Sequence, residues 1–186
     1  TAQAIEWFNL ESIGRSPARV DFKKLDNING HYMRQASDEA LADAVVPFFK
    51  ARGHDVDAAL RTKLVAAMPG LKERAKTLIE LGDGAHYLVA RRPLDLDDKA
   101  RKLLTPDARS ILSKLLPAFE QAPWDAQSLD SAARSFAEHN GLKLGMVAQP
   151  LRAALTGRTT SPGIFDVLVV LGRAESLARI ADQAAA

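Results

Sequence analysis

The spacing of the apolar residues constrains the fold of this chain more than any other feature of its sequence. In nearly every segment they recur at intervals of three and four, as Leu60, Leu64 and Met68 do. Such intervals place them on one face of an α-helix. Alternation typical of a β-strand never extends beyond a few residues. Because 47% of the 186 residues are hydrophobic, the chain can bury a real core, and we predict an all-α protein.

Polar caps, prolines and glycines divide this pattern into helices. The first half is predicted to hold a helix from Ser37 to Gly53 with a kink at Pro47, a helix from Asp57 to a break at Pro69-Gly70, and a helix over 71–81 that stops at Gly82. The second half is predicted to hold helices from Thr105 to about Pro117, from Asp125 to Asn140, and over 145–156, 162–171 and 174–184. The acidic stretch RRPLDLDD, residues 91–98, is predicted to be a loop between the halves.

The composition excludes several classes of protein. There is no cysteine, which excludes a disulfide scaffold and a thiolate metal site and favours a reducing compartment. No apolar run is long enough to span a membrane, and the opening TAQAIEWFNL does not resemble a signal peptide. We therefore expect a cytoplasmic protein without a membrane partner. Since there is no initiator methionine and the chain opens within a helical pattern, we expect a piece of a longer protein.

The distribution of charge is more informative than the net charge of +2. Residues 61–92 carry a net +4 and residues 143–173 a net +3, whereas residues 36–60 and 94–130 carry −3 and −2. Two basic blocks separated by acidic ones can form one positive surface for a polyanion. The alternative is a solvated helical surface whose charge is locally uneven.

Residues that could carry catalysis are scattered. The sequence has no zinc-protease, Walker or dinucleotide-binding motif, and no metal-ligand spacing joins His31, His54, His86 and His139. The pair Asp97-Asp98 lies in a charged loop, and Ser161 has no histidine nearby in the sequence to activate it. We therefore predict a binding protein with no catalytic residue and no metal site in this chain.

Residues 148–163, AQPLRAALTGRTTSPG, combine an arginine-bearing apolar helix with a polar turn. Ser161 is predicted to cap the next helix and Pro162 to occupy its first turn. The adjacent glycine would leave room for an acceptor-rich group near the free N–H groups of that helix. If the two helices are antiparallel, Arg152 reaches the same place, and Arg158 in the turn can meet a phosphate. The alternative is a plain corner between helices with an arginine at its edge.

Three long segments carry a family likeness: EWFNLESIGRSPARVDFKKLDNINGHY at residues 6–32, ERAKTLIEL at 73–81 and GLKLGMVAQPLRAALTGRTTSPGIFDVLVVLG at 141–172. Together they resemble the C-terminal part of bacterial glutamyl-tRNA synthetases, class I enzymes. The resemblance covers essentially the whole chain in the right order. It implies two packed helical bundles that form an anticodon-binding domain, with bundles over 36–98 and 99–186. They would follow the end of a tRNA-stem-contacting segment at 1–35.

The same resemblance implies a role in attaching glutamate to tRNA(Glu) with ATP. The family's catalytic half carries HIGH and KMSKS signatures, and neither is present here. This chain alone is therefore predicted to be inactive and to bind no cofactor, with ATP and Mg expected only for the full-length enzyme. The implied partner is tRNA(Glu), the implied state is a monomer, and no DNA partner is expected.

The resemblance also implies which residues read the anticodon. Arg74, in ERAKTL, would read the last base, and the first base would be contacted by Arg152, Ser161, Pro162 and Ile164. The family usually has tryptophan where KLDNIN has Asn27, so we assign no site there. A guanidinium offers only donors, which match the O2 and N3 acceptors of cytosine and oppose the donors of guanine, for about 1–3 kcal/mol of preference. The alternative for Arg74 is a surface ion pair with Glu73 or Glu80.

Two other functions remain open from the sequence alone. The first is a helix–turn–helix module for DNA over 128–156, although only Gln149 and Arg152 on its second helix could reach base edges. The second is a helical interaction domain without a nucleic-acid partner.

Overall fold

The computed structural model describes residues 2–12, 14 and 21–185, and every regular element in these ranges is helical. The α-helices are α1 (Ala2–Trp7), α2 (Phe22–Gln35), α3 (Asp38–Ala51), α4 (Ala58–Lys72), α5 (Leu78–Gly84), α6 (Asp98–Leu103), α7 (Pro106–Gln121), α8 (Ala126–His139), α9 (Leu144–Thr156), α10 (Ile164–Leu171) and α11 (Arg173–Ala185). Short 3-10 turns occupy Leu10–Ser12 and His86–Leu88. The predicted all-α class is confirmed.

The first hydrophobic core lies among α2, α3, α4 and α5. Its fully buried large side chains include Val45, Leu64, Met68 and Leu81. The helices begin where the chain supplies a polar cap. The side chains of Ser37, Asp57 and Thr77 each accept a hydrogen bond from a backbone N–H of the first turn, which satisfies a donor that the helix itself leaves open. Local sequence thus sets where α3, α4 and α5 start, and the apolar face of each sets how it packs.

The second core is larger and is built around α9. Helices α6, α7, α8, α10 and α11 all pack against α9. The last six residues of α9, Leu151–Thr156, are buried except for the half-buried Arg152. Phe119, Leu129 and Ile180 complete this core from the surrounding helices. A helix segment buried on nearly all sides must be hydrophobic on nearly all sides, and this holds for the C-terminal half of α9, whereas Gly145, Met146 and Gln149 in the N-terminal half are exposed.

Two close backbone contacts join the halves. Gly157 has φ +70, and a Cβ there would collide with the carbonyl oxygen of Asp95, so only glycine fits. In the same place the Asp97 N–H donates to the Gly157 carbonyl oxygen at 3.0 Å. Gly70 of α4 lies where a Cβ would come within 2.9 Å of the Pro162 side chain. The turn between α9 and α10 therefore packs directly against the C-terminal end of α4.

Two predictions about local structure in the first half are wrong. Pro69-Gly70 does not break α4, which continues to Lys72 because Met68 and Leu71 remain packed in the core. The predicted helix over 71–81 is instead a turn over 73–77 followed by α5, which Thr77 caps. The predicted loop over 91–98 is confirmed up to Asp97, which caps α6, a helix for which no prediction was made.

The segment before α3 is the most exposed part of the chain. Nearly all of the described residues from 2 to 35 are exposed, with only Gly30 and Met33 buried. The predicted segment 1–35 includes residues 1, 13 and 15–20, which lie outside the described residues. The division at residues 36 and 99 stays a prediction. In the described ranges no helix is long and apolar enough to cross a membrane.

Candidate nucleic-acid interface

A cleft of about 260 Å³ lies where the turn between α9 and α10 meets the turn between α4 and α5. We call it the Arg74 cleft. It is lined by Leu71, Arg74, Ala75, Glu80, Gly84, Thr160, Ser161 and Pro162. The structure thus brings Arg74 together with Ser161 and Pro162, although the sequence separates them widely. The close approach of Pro162 to Gly70 is what makes this meeting possible.

Arg152 does not itself line this cleft, but it is joined by a hydrogen bond to Ser161, which does. Its Nε donates to Ser161 Oγ at 2.9 Å, and that hydroxyl donates in turn to the Pro162 carbonyl oxygen at 2.8 Å. The prediction that Ser161 caps α10 is therefore wrong, as is the placement of Pro162 in its first turn. The helix begins at Ile164, after Gly163, without a side-chain cap. Ser161 lies too far before the helix start to serve it, and Arg152 takes the hydroxyl instead.

Arg74 is exposed at the mouth of the cleft. Within the described ranges its guanidinium has no carboxylate at ion-pair distance, so neither Glu73 nor Glu80 pairs with it. Glu80 instead accepts a hydrogen bond from the Lys76 N–H at 2.7 Å. The alternative of a surface ion pair finds no support in this geometry.

The two arginines influence each other. Partial burial lowers the pKa of Arg152, and the positive charge of Arg74 lowers it further. Among the described residues Arg152 also has no carboxylate partner. Two guanidinium groups therefore lie beside one cleft, and most of their N–H donors have no acceptor in the described structure. Their positive charges repel each other, and an acceptor-rich or anionic ligand would relieve that repulsion.

A second cleft of about 330 Å³ adjoins the first and shares Glu80, Gly84, Thr160 and Ser161 with it. We call it the Arg158 cleft. Arg158 is exposed and only loosely paired, with its Nη1 at 3.7 Å from Asp97 Oδ2. His86 lies in the same wall. Burial lowers the pKa of His86 most, and the charges of His54, Arg158 and Arg52 lower it further. The Arg158 cleft also has the carboxylates of Glu80 and Asp83 in its lining, so charges of both signs lie beside Arg158.

Two expectations about the start of α10 need revision. The side chain of Ile164 is 4% exposed and packs in the second core, so only its backbone could meet a ligand. The space beside Gly163 is occupied by the carboxylate of Asp166, which a Cβ at residue 163 would strike. The carboxylate of Asp166 in the first turn already compensates the positive end of α10. The start of α10 is therefore a poor site for an anion.

Sequence reasoning missed one buried arginine. Arg179 of α11 is 2% exposed. It donates to Glu175 and to the carbonyl oxygens of Tyr87, Leu155 and Ala90 over 2.6 to 3.0 Å. Arg179 lies next to Ile180 and one turn after Ser176, both of which are fully buried. Its place on the same face of the predicted helix was the signal in the sequence that could have indicated its burial. Arg179 ties the linker after α5 to the end of α9, close to the turn that carries Arg158.

The helix–turn–helix alternative conflicts with the burial of its second helix. A recognition helix must lie in the major groove of DNA. Here that helix is α9, whose C-terminal half is buried among neighbouring helices and whose Arg152 is committed to Ser161. Of the two residues that could reach base edges, only the exposed Gln149 is left to do so.

Comparison with known proteins decides the family. A model of the anticodon binding domain matches residues 40–184, which is most of the chain. The chain belongs to the anticodon-binding domain family. The match includes Arg74, Arg152 and both clefts, so the candidate interface described above is part of this domain.

The relatives of this anticodon-binding domain are much longer enzymes. The chain is 58% identical over its whole length to glutamate–tRNA ligase 2 of Parvibaculum lavamentivorans, of which it covers 38%. It is 56% identical, over 98% of its length, to glutamate–tRNA ligase 1 of Brucella melitensis, of which it covers 40%. The resemblance to bacterial glutamyl-tRNA synthetases is confirmed. The chain spans about two fifths of these curated relatives.

Solved structures agree with the fold. A glutamate–tRNA ligase from Elizabethkingia meningosepticum, crystallised with its amino acid, superposes with a TM-score of 0.81 at 24% identity. The match covers 99% of this chain and 36% of that one. A glutamyl-tRNA synthetase from Elizabethkingia anophelis superposes with a TM-score of 0.77, also at 24% identity. The arrangement of helices in this anticodon-binding domain is therefore shared with those enzymes.

Proposed function

We propose that this domain binds the anticodon loop of tRNA(Glu) as part of a glutamate–tRNA ligase. The observation that carries the proposal is the pair of arginines beside one cleft, Arg74 and Arg152, neither of which has a carboxylate partner in the described structure. The similarity to glutamate–tRNA ligases supports the identity of the tRNA.

The chemistry of an anticodon suits this surface. RNA is read mainly at unstacked loop bases, through their pairing edges and through stacking. The last base of a glutamate anticodon is cytosine, whose pairing edge has two acceptors. A guanidinium that has no partner in the unbound protein can donate to both. The same group would leave the donors of guanine without an acceptor, and an unmade hydrogen bond in a closed site is costly.

We assign the recognition of the last base to Arg74 and that of the first base to the group Arg152, Ser161 and Pro162. Ile164 contributes only through its backbone, since its side chain is buried. Arg158 is proposed to meet a phosphate of the loop, because it is exposed and only loosely paired.

In this proposal the catalytic half of the ligase, with its ATP and Mg, belongs to the part of the relatives that this chain does not match. The chain itself contributes recognition and no chemical step. We further propose that it acts in the cytoplasm and as a monomer, with residues 1–35 as the end of a stem-contacting segment and the two bundles meeting near residue 99.

The first test separates RNA binding from the alternatives. Labelled tRNA(Glu) and a duplex DNA of similar length are titrated with the protein at salt concentrations from about 50 to about 300 mM, because phosphate contacts make affinity fall as salt rises. We expect tRNA to bind more tightly than DNA, with a salt slope that corresponds to a few phosphate contacts. Equal binding of DNA, or no binding of tRNA at low salt, would overturn the proposal.

The second test addresses the last anticodon base through Arg74→Gln. Glutamine has both an acceptor and donors, so it can satisfy guanine as well as cytosine. We expect the wild-type preference for an anticodon ending in C over one ending in G to fall by about 1–3 kcal/mol. The measurement is the ratio of Kd values for two anticodon stem-loops that differ only at that base.

Arg134→Gln is the matched control, because Arg134 is an exposed arginine already paired with Asp130. It should leave the ratio unchanged. If Arg74→Gln also leaves the ratio unchanged, Arg74 does not read that base.

A further inference from the structure

We propose that Asn29 is a positioning residue for Arg74: helix α2 holds the turn over 73–77 so that the Arg74 guanidinium faces the cleft. The inference rests on the proposed function, since it concerns how the base-reading arginine is oriented. Asn29 itself does not line the cleft.

The turn that carries Arg74 has little regular structure of its own. Arg74 and Ala75 both donate from their backbone N–H groups to the Leu71 carbonyl oxygen, at 3.1 and 3.2 Å. Beyond Ala75 the chain leaves the helical path and α5 begins at Leu78. The direction of the exposed Arg74 side chain therefore depends on what holds the residues on either side of it.

The first anchor precedes Arg74. Lys72, the last residue of α4, forms an ion pair with Asp38 at 2.8 Å and donates to the Ala36 carbonyl oxygen at 3.3 Å. Both partners lie at the junction of α2 and α3. The Lys72 and Asp38 side chains are mostly buried, with 17% and 29% of their surface exposed, so the pair is better shielded from water than an ordinary surface pair.

The second anchor follows Arg74 and comes from α2 itself. The side-chain amide of Asn29 donates to the Lys76 carbonyl oxygen, while the Lys76 N–H donates to Glu80. Lys76 is thus held from both sides of its backbone. The buried Gly30, the next residue of α2, lies within van der Waals reach of Lys76, since a Cβ there would be 3.6 Å from the Lys76 Cα.

The polar contact of Asn29 matters because α2 has so little other burial. Only Gly30 and Met33 of its fourteen residues are buried. An apolar contact of that size leaves a helix free to shift along its neighbour, whereas a hydrogen bond to one carbonyl oxygen defines its register. Asn29 therefore fixes the position of α2 against the turn over 73–77. That turn then sets the direction of the Arg74 side chain.

Asn29→Ala removes the donor, and Asn29→Asp keeps the size of the side chain while replacing the amide donor with a carboxylate. Asn27→Ala is the matched control, because Asn27 is an exposed asparagine on the same helix whose side chain has no hydrogen bond in the described structure. The probes are anticodon stem-loops of tRNA(Glu) that end in C or in G. Each variant is measured alone and in an Arg74→Gln background, with a thermal melt to verify folding.

We expect Asn29→Ala and Asn29→Asp to reduce the C-over-G preference about two- to tenfold, the fold-change that corresponds to one ordinary hydrogen bond. Asn27→Ala should leave that preference unchanged. In the Arg74→Gln background, removal of Asn29 should have no further effect on the preference, because the side chain that it positions is gone. A merely structural role would weaken both stem-loops equally and would not depend on Arg74.

Three results would overturn the inference: an unchanged preference in both Asn29 variants, an equal loss of affinity for both stem-loops, or the same loss of preference with and without Arg74. The failure of the proposed function looks different. In that case Arg74→Gln alone leaves the preference unchanged, whatever Asn29 does.

Discussion

Two arginines of the second bundle, Arg179 and Arg152, show how the surroundings of a charge indicate its use. Arg179 is 2% exposed and donates to one carboxylate and three carbonyl oxygens. Arg152 is half-buried and donates to a single hydroxyl. Both lie near the end of α9, yet only one has its hydrogen-bonding capacity satisfied within the protein.

The difference teaches that burial alone does not identify a binding residue. A buried guanidinium whose donors are satisfied holds the structure together, because its removal strands the acceptors around it. A partly buried guanidinium with unused donors and a like charge nearby destabilises the unbound protein slightly. In the proposed function a ligand supplies the missing acceptors.

The largest effect is expected for Arg179→Met. The substitution preserves much of the volume but leaves three carbonyl oxygens and Glu175 without their donor, which should cost about 3 kcal/mol of unfolding free energy. Urea denaturation measures the loss. Arg134→Met, which removes an exposed arginine paired with Asp130, should cost less than about 1 kcal/mol. Equal losses would break the comparison.

The second-largest effect is expected for Arg152→Ala. This substitution should lower the affinity for RNA more than the stability of the fold. Ser161 Oγ keeps the hydrogen bond that it donates to the Pro162 carbonyl oxygen and loses only the one that it accepts from Arg152, so unfolding free energy should fall by only about 1 kcal/mol. Affinity for the anticodon stem-loop should fall about tenfold or more, as for one hydrogen bond from a charged group. A large loss of stability with unchanged affinity would make Arg152 a structural residue like Arg179.

A smaller effect is expected for Gly70→Ala, which tests the contact that brings the two arginines together. Alanine gains up to about 1 kcal/mol of helix propensity, but its Cβ would lie 2.9 Å from the Pro162 side chain, and overpacking costs about 1–3 kcal/mol. We expect a net loss of about 1 kcal/mol together with weaker RNA binding. Gly145→Ala in α9 meets nothing within 4 Å and should be neutral or stabilising. A stabilised Gly70→Ala protein would argue against the tight docking of the turn.

The smallest effect is expected from His86 in the Arg158 cleft. Burial and nearby positive charges lower its pKa below the ordinary value of 6.5. The unfolded chain therefore binds the proton more readily, and stability is lost as pH falls below about 6.5. His86→Asn should lose less stability than the wild type between about pH 7.5 and pH 5. Denaturation curves with the same pH dependence in both proteins would contradict this.

The sequence by itself determined the helical class, most helix starts and the family. Helix periodicity and capping act over three or four residues, so Ser37, Asp57 and Thr105 are readable as caps without a structure. The left-handed glycine at residue 53, with φ +80, follows the end of α3 as predicted. Arg152 and Arg158 were also singled out from a local motif, whereas Arg74 was assigned only through the family resemblance.

The tertiary structure decided what those local signals could not. The sequence Pro69-Gly70 predicts a helix break. Helix α4 nevertheless continues through these two residues, because the apolar side chains of α4 pack against neighbouring helices. The local sequence predicts that Ser161 caps a helix, yet Ser161 accepts a hydrogen bond from Arg152. The reason is that the turn between α9 and α10 takes its shape from packing against Gly70. The meeting of Arg74 with Arg152 and the complete burial of Arg179 depend on contacts between residues far apart in the chain. No pattern of nearby residues encodes such contacts, because they arise only when the helices pack.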